Sequence, residues 1–228
     1  MFSDGCKQVL GSVYALIGWS KGGDVNCGTS FMIAPGILAT AAHVTYKNRG
    51  DSEALQDAIR VIAASEIDGK QAMESATVVA IDAEYDIALL KIENPRVKSF
   101  VTFATDPLPA GTDAGALGFP LMNPKAIMAG AAVPMLRFQG GHVSVSYAKP
   151  SPTSGRQLAY HETDMPMYQG SSGCPGFLED GRVFGMHVAE LHEGDENGNP
   201  KQRAFSLWLP ASIIISFARD NEIETETS

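Results

Sequence analysis

Disulfide chemistry is the first thing this sequence lacks. Its three cysteines, Cys6, Cys27 and Cys174, are an odd number without CxxC spacing. Neither a complete disulfide framework nor a cysteine zinc site can be assembled from them, and no metal or other cofactor is expected. Basic residues are also scarce. Lys and Arg number 17 against 26 Asp and Glu, leaving a formal charge of −9, and no Lys/Arg run is long enough to track a phosphate backbone. Nucleic acid is therefore not expected as a partner. Long apolar runs are absent as well: no stretch approaches the roughly 20 residues of a membrane helix. The short apolar segment from Val9 to Trp19 follows Lys7, but no small-x-small cleavage site comes before Lys21 and Asp24. It reads as a buried first strand rather than a secretory signal, because Val13, Tyr14, Ile17 and Trp19 favour extended backbone. The expectation is a soluble, cytoplasmic chain without membrane contact.

What is present is ordinary globular composition, 44% apolar and 19% charged over 228 residues, enough to bury a sizeable core. Short β-like runs follow one another almost to the end, with no alternation of strands and long amphipathic helices. Phe31-Met32-Ile33 and Ile37-Leu38-Ala39 flank Pro35-Gly36, where proline presets the first central position of a type II turn and glycine takes the positive φ of the second. Asp180-Gly181 reads as a two-residue hairpin turn, and Thr77–Ile81 with Ile87–Ile92 as an adjacent strand pair. Asp51 to Ile59 suits one short helix. Pro210 can open a C-terminal helix with Ile213, Ile214, Phe217 and Ala218 on neighbouring faces, followed by an acidic tail expected to fray beyond Asp220. Prolines and a glycine make 105–113 the best internal boundary. The chain accordingly divides into 1–108 and 109–228, each with about six strands.

Three polar positions stand out against this background. His43 follows Thr40-Ala41-Ala42 at the end of a hairpin, where it would leave the sheet toward a cleft; alone, it reads more readily as a structural histidine than as a catalytic one. Asp86 opens the apolar run Ile87-Ala88-Leu89-Leu90. It reads either as a partner for His43 or as a turn aspartate capping backbone amides. Gly170-Ser171-Ser172-Gly173 places a serine between glycines, so that the backbone can bend sharply and the amides of Gly170 and Ser172 can point at a developing oxyanion. As a bare Gly/Ser turn it would be uninformative, but here it completes the order His, Asp, Ser.

With these residues in view the sequence resembles the chymotrypsin-like serine peptidases, particularly their bacterial, trypsin-like, disulfide-free branch. The resemblance is carried by Gly28-Thr29-Ser30-Phe31, Thr40-Ala41-Ala42-His43, Asp86-Ile87-Ala88-Leu89-Leu90, Ala116-Leu117-Gly118-Phe119-Pro120, Gly170-Ser171-Ser172-Gly173-Cys174-Pro175 and Gly185-Met186-His187-Val188, in family order across about residues 9 to 218. It implies an all-β protein of two antiparallel six-stranded β-barrels with a C-terminal helix, cutting protein or peptide substrates as a serine endopeptidase. His43 and Asp86 would come from the first barrel and Ser172 from the second. Ser172 would be the nucleophile, His43 its base, Asp86 the orienting carboxylate, and the Gly170 and Ser172 amides the oxyanion hole. Residues around the pocket for the side chain before the scissile bond would be Pro166, Met167, Tyr168, Gln169, Val188, Ala189 and Glu190, with His187 behind them.

Pro166 stands where trypsin-type enzymes carry a deep aspartate, so strict Arg/Lys preference is not expected. His187 favours Glu or Gln, and an apolar lining of Met167, Val188 and Ala189 favours a small or medium apolar residue. Ser171 replaces the aspartate that pairs with a newly cut N-terminus in the family's animal zymogens, so any control is expected from loops or a regulatory protein partner. Val44 stands where the disulfide partner of Cys27 would be, which leaves Cys27 a small buried hydrophobe. A catalytically silent binding module and a viral-type processing peptidase remain alternative readings of the same plan. An α/β-hydrolase esterase fits less well, because the strand-turn-helix context of its serine is missing and the residue order differs.

Overall fold

A computed structural model describes residues 2–47, 54–67, 70–194 and 200–228. The chain opens with helix α1 (Phe2–Leu10) and then runs through β1 (Val13–Trp19), β2 (Val25–Ala34), β3 (Ile37–Ala41), β4 (Ala58–Ile67), β5 (Lys70–Asp82) and β6 (Ile87–Lys91). These six strands close a barrel in the order β1-β2-β3-β6-β5-β4 with antiparallel neighbours throughout. After β7 (Thr102–Phe103) come β8 (Asp113–Gly118), α2 (Pro124–Met128), β9 (Arg137–Pro150), β10 (Gln157–Thr163), β11 (Pro175–Phe177), β12 (Val183–Gly194), β13 (Pro200–Pro210), α3 (Ala211–Asp220) and β14 (Glu226–Thr227). The second sheet runs β11-β8-β9-β10-β13-β12, and pairing of β11 with β12 closes these six into a ring. The all-β architecture with a C-terminal helix is therefore as expected.

Alternation along the strands sorts the apolar residues into separate cores. Tyr14, Leu16, Met32, Leu38, Val61 and Leu90 form one buried cluster with their neighbours, and Ala116, Val143, Cys174, Phe184 and Trp208 belong to another drawn from the second sheet. The opposite-parity residues of the first barrel, Val13, Ala15, Ile17, Phe31, Ile87 and Leu89, join Phe103, Leu117, Phe119, Phe177 and Met186 in a third cluster between the barrels. Strands buried on both faces explain the near-continuous apolar runs of the sequence. Each fully buried large side chain contributes about 1.5–3 kcal/mol.

Local expectations fare unevenly. Gly36 adopts φ +76° between β2 and β3, and β5 pairs with β6, both as read from sequence. The first strand starts later than Val9: Val9 and Leu10 close α1, and the amide and hydroxyl of Ser12 both donate to the Val9 carbonyl, ending the helix. Of the helix expected at Asp51 to Ile59, residues 51–53 lie outside the described residues and the rest is not helical. The amides of Gln56 and Asp57 donate to Thr45 and Trp19, Gln56 Nε2 donates to Tyr46, and β4 begins at Ala58. Tertiary acceptors there outcompete the i−4 carbonyls. The 180–181 turn is a three-residue loop, with Leu178 and Arg182 paired across it and Gly181 at φ +85°. The acidic tail is docked rather than frayed. Ile223 packs against the core, β14 pairs in parallel with β7, and Ser228 bonds to Phe103 and Thr105.

His161 on β10 gives the fold a specific acid sensitivity. Its ring packs on Phe184 at 6.1 Å and its Nδ1 lies 2.7 Å from the Ser146 hydroxyl, while burial lowers its pKa from 6.5 to about 4. Between those values the unfolded chain binds a proton that the folded chain refuses, so stability falls as pH drops through that window. The loss from this one group is about 2 kcal/mol by about pH 5. Asp82 and Asp164, held below the usual 3.8, titrate beneath the window. Denaturant titrations at pH 7.5 and 5 should show this loss, and His161→Gln should remove it; an unchanged pH difference in the variant would exclude His161 as its source.

Candidate active site

The register of β3 against β6 brings the histidine and the aspartate together. Ala41 pairs with Ile87, so the chain leaving β3 and the chain entering β6 meet two residues beyond one strand and one before the other. The Ala42 amide donates to the Asp86 carbonyl at 3.0 Å, the His43 amide to Asp86 Oδ1 at 2.8 Å, and His43 Nδ1 lies 2.6 Å from Asp86 Oδ2. A carboxylate at Nδ1 holds the proton there and leaves the lone pair on Nε2. Asp86 itself sits at φ +56°, a left-handed conformation that aspartate tolerates better than most residues.

Two devices hold this pair. Asn26 on β2 donates from Nδ2 to the carbonyls of His43 (3.1 Å) and Val44 (3.3 Å), while its Oδ1 accepts from the Cys27 amide. It thereby ties the histidine turn to β2, where the disulfide of the family's animal members is missing. The Asp86 loop is clasped by the tip of the β9–β10 hairpin. The Arg156 guanidinium lies 4.1 Å over the Tyr85 ring and bonds Asp82 at 2.6 Å, Ser154 and Thr153 donate to Glu84, and Tyr85 donates to the Gln157 carbonyl. Against the opposing effect of burial, the Tyr85 amide and then Arg156 hold Asp82 below the usual carboxylate range, and hydrogen bonding from Ser151 and Ser154 does the same for Glu84.

The serine loop needs its glycines. Gly170 and Gly173 adopt φ +96° and +85°, and a Cβ on Gly173 would collide with the Thr29 carbonyl and the Thr40 hydroxyl. Gly173→Ala combines positive-φ strain with that collision. It should cost about 3 kcal/mol in denaturant titrations; a loss below about 1 kcal/mol would mean that the loop relaxes freely.

A cleft of about 560 Å³ opens between the barrels, and His43, Asp86 and Ser172 all line it. Tyr168, Gln169, His187, Val188, Ala189 and Glu190 line it too, together with His192, which the sequence reading did not single out and which stands 3.7 Å from Glu190. Pro166 and Met167 are not among the lining residues. Pro166 faces outward, and Met167 is buried in the cluster of Cys174 and Trp208. The His187 ring packs edge-on against Trp208 at 5.3 Å, and its backbone bonds Gly173 and Cys174. No disulfide joins the three cysteines, Cys27 is half-buried rather than buried, and full burial pushes the Cys174 thiol far above its ordinary value, which makes it inert as a nucleophile.

Two antiparallel barrels, with a histidine–aspartate pair on one and a glycine-flanked serine on the other, define a chymotrypsin-like serine peptidase fold. The chain belongs to the trypsin-like peptidase family, whose domain matches residues 28–186. It is 27% identical over 189 residues to the serine protease Do-like HtrA of Lactococcus lactis subsp. cremoris (strain MG1363), covering 80% of this chain and 44% of that relative. The chain thus spans less than half the length of that protein. Its fold is similar to the active form of the Rv3671c protease from M. tuberculosis (TM-score 0.71, 18% identity, covering 98% of this chain and 86% of that one). The HtrA-type protease AlgW, solved with a tripeptide, is also similar (TM-score 0.69, 20% identity, covering 96% and 63%). Among the described residues no helix is long and apolar enough to cross a membrane.

Proposed function

We propose that this chain is a serine endopeptidase working through His43, Asp86 and Ser172. The observation that carries the reading is the 2.6 Å His43–Asp86 contact in the same cleft as a glycine-flanked serine. Ser172 Oγ attacks the scissile carbonyl as His43 Nε2 takes its proton. That proton then passes to the leaving amine, and water repeats the sequence to release the acyl group. Asp86 keeps the Nδ1–H tautomer and stabilises the imidazolium. The amides of Gly170 and Ser172 receive the oxyanion; one such donor is worth about 3–4 kcal/mol.

For the side chain before the scissile bond, Val188 and Ala189 in the cleft wall support a small or medium apolar residue, rewarded by buried area. The carboxylate of Glu190 opposes Glu, which leaves Gln as the polar alternative that His187 would read. A fluorophosphonate probe should label Ser172, and a proteome-derived peptide library should be cut after small apolar residues. Failure to label would favour the silent binding module, and frequent cleavage after Arg or Lys would overturn the preference.

A further inference from the structure

Four consecutive carbonyls of the serine loop are each held by a donor, and two of the four donors belong to one residue of the other barrel. The Gln169 carbonyl accepts from the Leu121 amide (2.7 Å) and the Ser171 carbonyl from the Cys174 amide (2.9 Å). The Gly170 carbonyl accepts from Thr29 Oγ1 and the Ser172 carbonyl from the Thr29 amide, each at 2.8 Å. Thr29 lies fully buried on β2. Its hydroxyl gives its single proton to Gly170 and accepts from the Phe119 amide at 3.0 Å, and its carbonyl accepts from Thr40 Oγ1 at 2.7 Å.

In a trans peptide the C=O and the following N–H point in opposite directions. Pinning the carbonyls of Gln169 and Ser171 therefore turns the amides of Gly170 and Ser172 the other way, and among the described residues neither amide donates to a protein acceptor. Pinning the Gly170 and Ser172 carbonyls fixes the 170–171 and 172–173 peptides, which flank the Ser171–Ser172 peptide, so no plane in the loop can rotate alone. Phe119 leads through Pro120 to Leu121, which sits at φ +59°, so the hydroxyl that holds Gly170 also anchors the segment that holds Gln169.

We infer that Thr29 is a positioning residue for the oxyanion hole: from the first barrel its hydroxyl and amide hold the serine loop in the one arrangement that presents the Gly170 and Ser172 amides to the substrate. The inference rests on the peptidase reading above. Thr29 bonds Ser172 at the carbonyl and not at Oγ, so it acts through the loop, and its effect falls on the stage at which the oxyanion forms.

The test compares the wild type with Thr29→Val, Thr29→Ala and Thr29→Ser. Readouts are kcat and KM on a peptide amide, affinity for a peptide boronate that mimics the tetrahedral intermediate, and thermal unfolding. Thr29→Val keeps the shape and the backbone amide but strands the Gly170 carbonyl and the Phe119 amide. It should lower kcat about 10²-fold, as loss of an oxyanion donor does, weaken the boronate in proportion, and move KM less than about threefold. Thr29→Ser should recover most of kcat. The inference is overturned if folded Thr29→Val or Thr29→Ala keeps kcat within about threefold, if the loss appears in KM instead, or if Thr29→Ser is equally impaired. It is also overturned if both hydroxyl-free variants fail to fold where Thr29→Ser folds, which makes the residue structural. Labelling of wild-type Ser172 by fluorophosphonate reports separately on the peptidase reading; an unlabelled wild type ends both.

Discussion

Ser172→Ala should lower kcat for a peptide amide by about 10⁵–10⁶-fold while the chain still folds. Members of a serine–histidine–aspartate unit act together, so removing the nucleophile costs nearly as much as removing all three, and the residual rate is that of oxyanion donors and binding alone. Folding should survive because the bonds that shape the loop come from its carbonyls and from Gly170 and Gly173, not from the Ser172 hydroxyl. The measurement is turnover of a fluorogenic peptide by variant protein purified free of host peptidases, alongside thermal unfolding. Turnover within tenfold of wild type in such a preparation would remove Ser172 from the mechanism.

Asp86→Asn should lower kcat by about 10⁴ with little change in KM. The substituted side chain can keep its oxygen on the His43 amide, now 2.8 Å from Asp86 Oδ1, and this directs its NH₂ at His43 Nδ1. The imidazole must then accept at Nδ1 and carry its proton on Nε2, where it cannot take one from serine. Asp86→Ala removes the forced tautomer but also the orientation, so the two variants should be comparably slow for different reasons. Near-wild-type kcat in Asp86→Asn, at any pH between 6 and 8, would reduce Asp86 to a turn-former.

The parts of the site that were legible in the sequence are those whose geometry follows from one hairpin or one strand register. Pro35-Gly36 sets the β2–β3 turn, and its register with β6 delivers His43 to Asp86. The resemblance supplied the link to Ser172, which no local pattern could, since the serine lies in the other sheet. Asn26 and Thr29 escaped notice as supports because their bonds go to backbone carbonyls of distant segments, and such bonds leave no periodicity. The β9–β10 clasp on Glu84 and Asp82 was hidden for the same reason. The resemblance placed Pro166 and Met167 at the pocket, whereas buried and exposed residues alternate in the irregular segment after β10 and put Met167 with Met165 and Trp208 in the core. The docked tail escaped because a two-residue parallel strand carries almost no signal of its own.

The order of the strands also schedules when the molecule becomes chemically competent. Strands β1 to β6 form a closed barrel from one contiguous stretch, Val13–Lys91, which can fold while the remainder is still being synthesised, because domains generally fold as units from the N-terminus. That early product would carry His43 and Asp86 already paired, yet no nucleophile. The second ring closes only when β12 pairs with both β11 and β13, and β14 must return to β7 beside the inter-barrel segment. Long-range closures of this kind are the slow steps of a β topology. On the proposed peptidase reading, the folded first barrel therefore holds its base and carboxylate harmlessly, and the capacity to cut arrives only once the second ring has closed and packed the chain's own unfolded segments out of reach.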